Sequence, residues 1–335
     1  MHGTFHNRLL MGVAIAALSL GSSQAMASGG ADTQWATVDN HGFLGIDLML
    51  EGGYNFSHGD LTYGQINDGS TIDTGTKIDL GEGFNGKAGV SARFEGGWKF
   101  GLNYSGIRSD KNGNTGTFDD TNTATTYPVW NVLGNTTTSY NEISVSTSSK
   151  VDMIDLTVGY DVGLGNSSSL VLTSGLRYGN FNQTTNTDIW CSAHVCGTRS
   201  YEYSDQLKSS YQGLGPILGA SYSVPVSDNG FSVFGSALGS VLFGKQKTSR
   251  WDNNGGGTVD TSDNHVAYTA EAEAGLSYKL PGHPATVSLG YQLSYFDKVR
   301  DTTNGTGATG NESYGNSKDS MLYHGPFARL VISLP

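Results

Sequence analysis

The chain has 335 residues, with 48 Gly, 17 Tyr and only 7 Pro, and 19 basic residues stand against 30 acidic ones for a net charge of −11. That acidic balance excludes nucleic acid as a partner, because phosphate binding needs a basic face. Many glycines and aromatics with few helix formers describe an all-β chain.

The first 27 residues fit a secretory signal. A polar start with Arg8 is followed by the apolar run Leu9–Leu20 (LLMGVAIAALSL), then by small residues ending Ala25-Met26-Ala27. A short apolar run with an A-x-A end is a cleavable signal, too short to span a bilayer as a helix. Cleavage is expected after Ala27. It removes one base and no acid, leaving 18 basic and 30 acidic residues. Residues 28–41 are expected to be a short periplasmic lead, and 42–335 a barrel. No later stretch is apolar enough for a transmembrane helix. A membrane protein of this composition must then cross with strands, because in lipid only helices and closed barrels satisfy every backbone group.

In chain order, strands are predicted near 43–55, 87–95, 97–108, 150–162, 168–181, 208–224, 230–247, 264–280, 285–299 and 321–334. Alternation is the signal throughout. It is clear in the eighth, where Val266, Tyr268, Ala270, Ala272, Ala274, Leu276 and Tyr278 share a face opposite Thr269, Glu271, Glu273 and Ser277. The ninth is similar, with Val287, Leu289, Tyr291, Leu293 and Tyr295 opposite Thr286, Ser288, Gly290, Gln292 and Ser294. Tight turns at 95–97, 163–166, 225–229 and 281–284 alternate with long Asn-, Thr-, Gly- and Asp-rich segments at 56–86, 109–149, 182–207, 248–263 and 300–320. Tyr140 to Ser148 is placed as a hairpin extension or an added strand pair. Short turns on one side and long loops on the other are the outer-membrane pattern. The fold class is therefore an all-β, antiparallel transmembrane β-barrel of about ten strands (range eight to twelve), in the outer membrane of a Gram-negative bacterium.

Motifs in the second half carry a family resemblance. Tyr211-Gln212-Gly213-Leu214-Gly215-Pro216-Ile217-Leu218-Gly219, Gly230-Phe231-Ser232-Val233-Phe234-Gly235 and Leu242-Phe243-Gly244 resemble the Legionella-type major outer membrane protein family. Val151 to Leu156, Gly175-Leu176-Arg177-Tyr178, Leu289-Gly290-Tyr291-Gln292 and His324-Gly325-Pro326-Phe327 are similar to further strands of it. The resemblance covers roughly residues 85–335. It implies a pore-forming barrel and, in some members, a surface contact with host molecules. One departure is the C-terminus, which ends Ser333-Leu334-Pro335 instead of on an aromatic.

Charged residues on the inward parity define the candidate site. Asp47, Glu51, Arg93, Asp155, Arg177, Glu271, Glu273 and Arg329 are assigned to the lumen, with Lys99 a weaker candidate. A charge facing lipid costs about 2–4 kcal/mol at the midplane. Closure sets the first strand, with Asp47 and Glu51, beside the last, with Arg329. Opposed charges around a lumen form a constriction that selects solutes or ions, so the expected function is a porin-like pore for their passive diffusion. The alternative is a salt-bridged plug in a narrow, non-conducting barrel that serves as an adhesin or structural protein through its acidic loops. Glycines at lumen positions (Gly159, Gly175, Gly213, Gly215, Gly219, Gly290) are expected to leave space inside or to relieve curvature.

Cys191 and Cys196, the two cysteines, are expected to form a disulfide in one surface loop, since the periplasm is oxidising. Two Cys with His194 fall short of a zinc site. Asp252 to Asp263 loosely matches a calcium loop but lacks the bidentate Glu and flanking helices, so it is taken as a solvated acidic loop. No G-x-S-x-G occurs and nothing fixes His265 or His324 beside a nucleophile, so no enzyme, cofactor or metal is expected. Expected partners are outer-membrane lipid and small solutes or ions.

Overall fold

The computed structural model describes residues 42–335 apart from 59, 63, 68–71, 74–76, 118–124, 129–141, 165–167, 192–197, 199, 228, 253–256 and 307–312. The signal segment 1–27 and the lead 28–41 lie outside the described residues. Ten antiparallel strands close into a barrel: β1 (Phe43–His58), β2 (Glu82–Phe94), β3 (Trp98–Thr117), β4 (Glu142–Gly163), β5 (Ser169–Cys191), β6 (Ser200–Pro225), β7 (Phe231–Asp252), β8 (Gly257–Lys279), β9 (Ala285–Thr306) and β10 (Ser313–Leu334). Neighbours in sequence are neighbours in space, and β1 seals the cylinder against β10, with Glu51 opposite Arg329 and Ile46 opposite Leu334.

Alternation explains each wall. Along β8, exposed Tyr268, Ala270, Ala272, Ala274 and Leu276 alternate with Thr269, Glu271, Glu273 and Gly275. Leu50, Leu156, Leu218 and Leu289 are 59–67% exposed. That exposure suits lipid, since burial against hydrocarbon replaces burial in a core. Aromatics edge this band on both sides. Phe94 stacks edge-on with Phe43 and Phe100, Trp98 lies 5.0 Å from Tyr160, and Phe231 lies 4.6 Å from Tyr278 near the short turns. On the opposite rim Tyr54 packs on Phe56 and Phe84. Such girdles mark the two membrane interfaces.

The strands run far beyond the band. β4, β7, β9 and β10 each have 22 residues and β6 has 26. At about 3.4 Å per residue and a tilt near 40°, 22 residues rise roughly 55 Å, about twice the apolar band. This corrects the long-loop expectation for 182–207, 248–263 and 300–320, and Glu142 to Ser148 extends β4. Asn182 to Asp188 pair residue by residue with Ser204 to Ser210. The reason is physical. Above the membrane the sheet meets water outside and polar neighbours inside, so its strands need no apolar alternation, and Thr- and Ser-rich sequence serves. The calcium-like segment is corrected in part as well, because Thr258, Asp260 and Asp263 belong to β8 and pair with Trp251, Ser249 and Gln246 of β7. Cys191 ends β5, while Cys196 lies outside the described residues.

Candidate functional site

The site is the barrel interior, assembled by parity from opposite walls. Glu51 of β1 has Lys87 as its register partner on β2 and Arg329 as its partner on β10. It therefore sits between two cations, with Arg329 Nε donating to it at 2.7 Å and the Lys87 ammonium forming an ion pair with it, Nζ 3.6 Å away. Arg329 also donates to Glu273 of β8, as does Lys87, which reaches from β2 across the lumen. Lys87 stands 3.9 Å from Glu271.

Arg177 of β5 completes the layer. Its Nε and Nη2 donate to the two carboxylate oxygens of Asp155, its register partner on β4, at 2.7 Å each. Its Nη1 donates to Thr269 at 2.9 Å and to Glu271, both on β8. The planar fork of arginine suits this double grip, which a lysine could not make. Seven side chains thus link β1, β2, β4, β5, β8 and β10. Asp155, Glu271, Glu273 and Glu51 face Arg177, Lys87 and Arg329, an excess of one negative charge. The Arg177 side chain is 1% exposed, against 15% for Lys87 and 17% for Arg329. Phe327 and Phe234 lie 4.8 and 5.7 Å from the Arg329 guanidinium and wall it in.

Asp47 and Arg93 sit nearer the short turns, as a separate pair with Nε–Oδ1 at 3.2 Å. Arg93 also donates to the Leu334 carbonyl at 3.3 Å, so it ties the end of β10 into the seam. Lys99 alternates with exposed Trp98 and Phe100 and faces inward, apart from the seven-residue layer. Thus all eight sequence-assigned charges point into the barrel, and six of them meet in one layer.

Two features escape the sequence argument. Lys87 lay at the predicted edge of its strand. Its parity with Arg93 could have found it, since the inward positions continue back through Ser91 and Gly89. The second is an apolar layer above the charges. Phe181 of β5 lies 5.1 Å from Phe296 of β9, Phe296 lies 6.2 Å from Tyr323 of β10, and Phe181 lies 6.1 Å from Tyr211 of β6. Ile107, Val151, Met153, Leu242 and Met321 fill around them, all buried. Tyr211 donates its hydroxyl to the Leu242 carbonyl at 2.8 Å. Higher still, Asp301 N and Gln246 Nε2 donate to the Ser209 hydroxyl at 2.9 and 2.6 Å, and Thr248 donates to Asp301.

Two of the glycines assigned as lumen space therefore play another part. A Cβ on Gly290 would stand 2.8 Å from the Phe327 ring, and one on Gly213 2.9 Å from the Tyr211 ring. The room these two glycines leave is taken by aromatic side chains.

The two rim histidines are also placed. His265 Nε2 lies 2.6 Å from the Lys298 carbonyl oxygen, a contact that requires an Nε2–H donor, and its ring lies 4.8 Å from Tyr211. His324 Nδ1 lies 2.6 Å from the Tyr291 hydroxyl on the outer face.

A closed ten-strand barrel with an apolar outer band, two aromatic girdles and a charged interior defines an outer-membrane β-barrel protein. The family described as Legionella pneumophila major outer membrane protein precursor matches residues 12–333, and the chain belongs to that family. No curated protein matches. Among solved structures, the outer-membrane protease OmpT of Escherichia coli is 12% identical with a TM-score of 0.51, covering 87% of this chain and 98% of that one. Neisserial surface protein A is 9% identical (TM-score 0.31, 88% and 99% covered), and a major outer membrane protein of Thermus thermophilus is 14% identical (0.36, 86% and 100%). At such identity the OmpT likeness speaks to the fold alone.

Proposed function

We propose that this protein serves the outer membrane as a sealed surface barrel, structural or adhesive, whose lumen is closed at rest. One observation carries the reading: Lys87 and Arg177 cross the lumen to the acids of β8, and an aromatic layer lies above them. Each crossing side chain fills space that a diffusing solute would need. A barrel of eight strands is just wide enough for side chains to fill, and open porins need about sixteen.

A second reading, a porin-like pore for small solutes or ions, is favoured by the wetter cations of the layer. Lys87 and Arg329 are partly exposed, unlike Arg177, and the single excess negative charge would prefer cations once the layer parted. Fields in a narrow low-dielectric channel focus such an imbalance.

Conductance in a planar bilayer decides between them. The sealed barrel gives no steps above background for the natural protein, and steps appear once Glu271 and Glu273 are changed together to Gln. Steady conductance from the natural protein, with weak cation preference at low salt, would overturn the sealed reading in favour of the pore.

A further inference from the structure

The outer face of β6 and β7 carries a feature that the lumen does not explain. Antiparallel register lays the outward side chains in rows. The last apolar row is Tyr178, Leu214, Phe243 and Val266. Leu214 is 54% and Phe243 61% exposed, so this row faces lipid. The next row outward is Asn180, Gln212, Lys245 and Asn264, followed by Asn182, Ser210, Lys247 and Ser262, and then by Thr184, Lys208, Ser249 and Asp260. Lys208, Lys245 and Lys247 are all exposed. Rows two residues apart stand about 7 Å from one another. Three flexible ammonium groups therefore gather within about 14 Å, directly above the hydrocarbon edge and beside amide donors.

On the outer face of β3 and β4 the basic residues are neutralised. Arg108 and Lys150, on β3 and β4, flank Asp152 at 2.5 and 3.6 Å. No carboxylate among the described residues holds Lys208, Lys245 or Lys247 in that way. In a chain of net charge −11 with 19 basic residues, three uncompensated lysines on one lipid-edge patch call for a counter-charge. The patch lies on the side of the long hairpins, which is the outer leaflet.

We propose that this patch binds the phosphate-bearing headgroup of an outer-leaflet glycolipid, with the acyl chains lying on Leu214 and Phe243. The apolar row and the lysine rows together match an amphiphile whose anionic phosphates begin where its chains end. A free phosphate would gain nothing from the apolar row. The assignment rests on the barrel's place in the outer membrane and is independent of whether its lumen is sealed.

The folded full-length protein, in a neutral detergent, is titrated with a bisphosphorylated glycolipid and with its dephosphorylated form, and bound lipid is read by native mass spectrometry. The bisphosphorylated form is retained more strongly. Changing Lys208, Lys245 and Lys247 together to Gln lowers its affinity on the order of a hundredfold, at about 1 kcal/mol per cation near an anionic surface. The corresponding triple Arg variant keeps it. If the triple Gln variant does not fold, the three single Gln variants decide the matter, each about fivefold weaker. Equal retention by natural and Gln-substituted protein, or equal retention of the dephosphorylated lipid, overturns the proposal. Displacement of the lipid by millimolar inorganic phosphate overturns it too, by making the patch a free-ion site.

Discussion

Replacing Arg177 by Met tests the charged layer at its most buried member. The Arg177 side chain is 1% exposed, and it holds Asp155 through two 2.7 Å hydrogen bonds while also donating to Thr269 and Glu271. Methionine keeps much of the length and none of the charge. Asp155, 12% exposed, then loses its guanidinium, and Glu271, 5% exposed, keeps only Lys87 at 3.9 Å. Breaking a buried pair from one side leaves an uncompensated charge and costs about 3–5 kcal/mol. The loss should appear as a lowered midpoint in urea unfolding of the barrel from lipid vesicles, followed by Trp fluorescence. A variant that also carries Asp155→Asn and Glu271→Gln should recover most of it, because neutral amides leave no buried charge behind. A loss below about 1 kcal/mol for Arg177→Met alone, the scale of a solvent-exposed pair, would refute the reasoning, since the interior would then be wet.

Orientation is tested by cysteine placement. Ser262→Cys, on the exposed face of β8, should react with an impermeant thiol reagent on intact cells, whereas His283→Cys, in the short turn after β8, should react only after lysis. The Cys191–Cys196 disulfide expected from the sequence should give an unreduced mass two hydrogens below the dithiol form, and reduction should leave the barrel's heat-resistant mobility on gels unchanged. Gly215→Val should destabilise β6 by about 1–3 kcal/mol or more in the urea assay, because a Cβ there would stand 1.7 Å from the Val241 carbonyl oxygen. A Gly215→Val barrel as stable as the natural one would mean that β6 and β7 are spaced differently.

Legibility in the sequence followed the solvent. Where a wall divides lipid from lumen, as at Val266–Leu276 or Val287–Tyr295, every second residue must be apolar, so strand, face and inward charge could be read locally. Glu51 beside Arg329 followed from closure alone. Above the membrane both faces of the wall are polar, and Asn182 to Asp188 offered no alternation to read although it is paired strand. Lys87 was missed because Gly83-Phe84-Asn85-Gly86 looks like turn sequence, although β2 runs through it.

By itself, then, the sequence determined that the chain crosses a membrane in about ten strands and which charges turn inward, because side-chain direction in a strand has a period of two and is a local property. Only the tertiary structure decided what those charges meet. That Lys87 reaches Glu273, that Arg177 reaches Glu271 and that Phe181 reaches Phe296 depends on the strand count, tilt and stagger that fix the distance across a closed barrel. Those quantities belong to the whole cylinder, and no strand carries them alone.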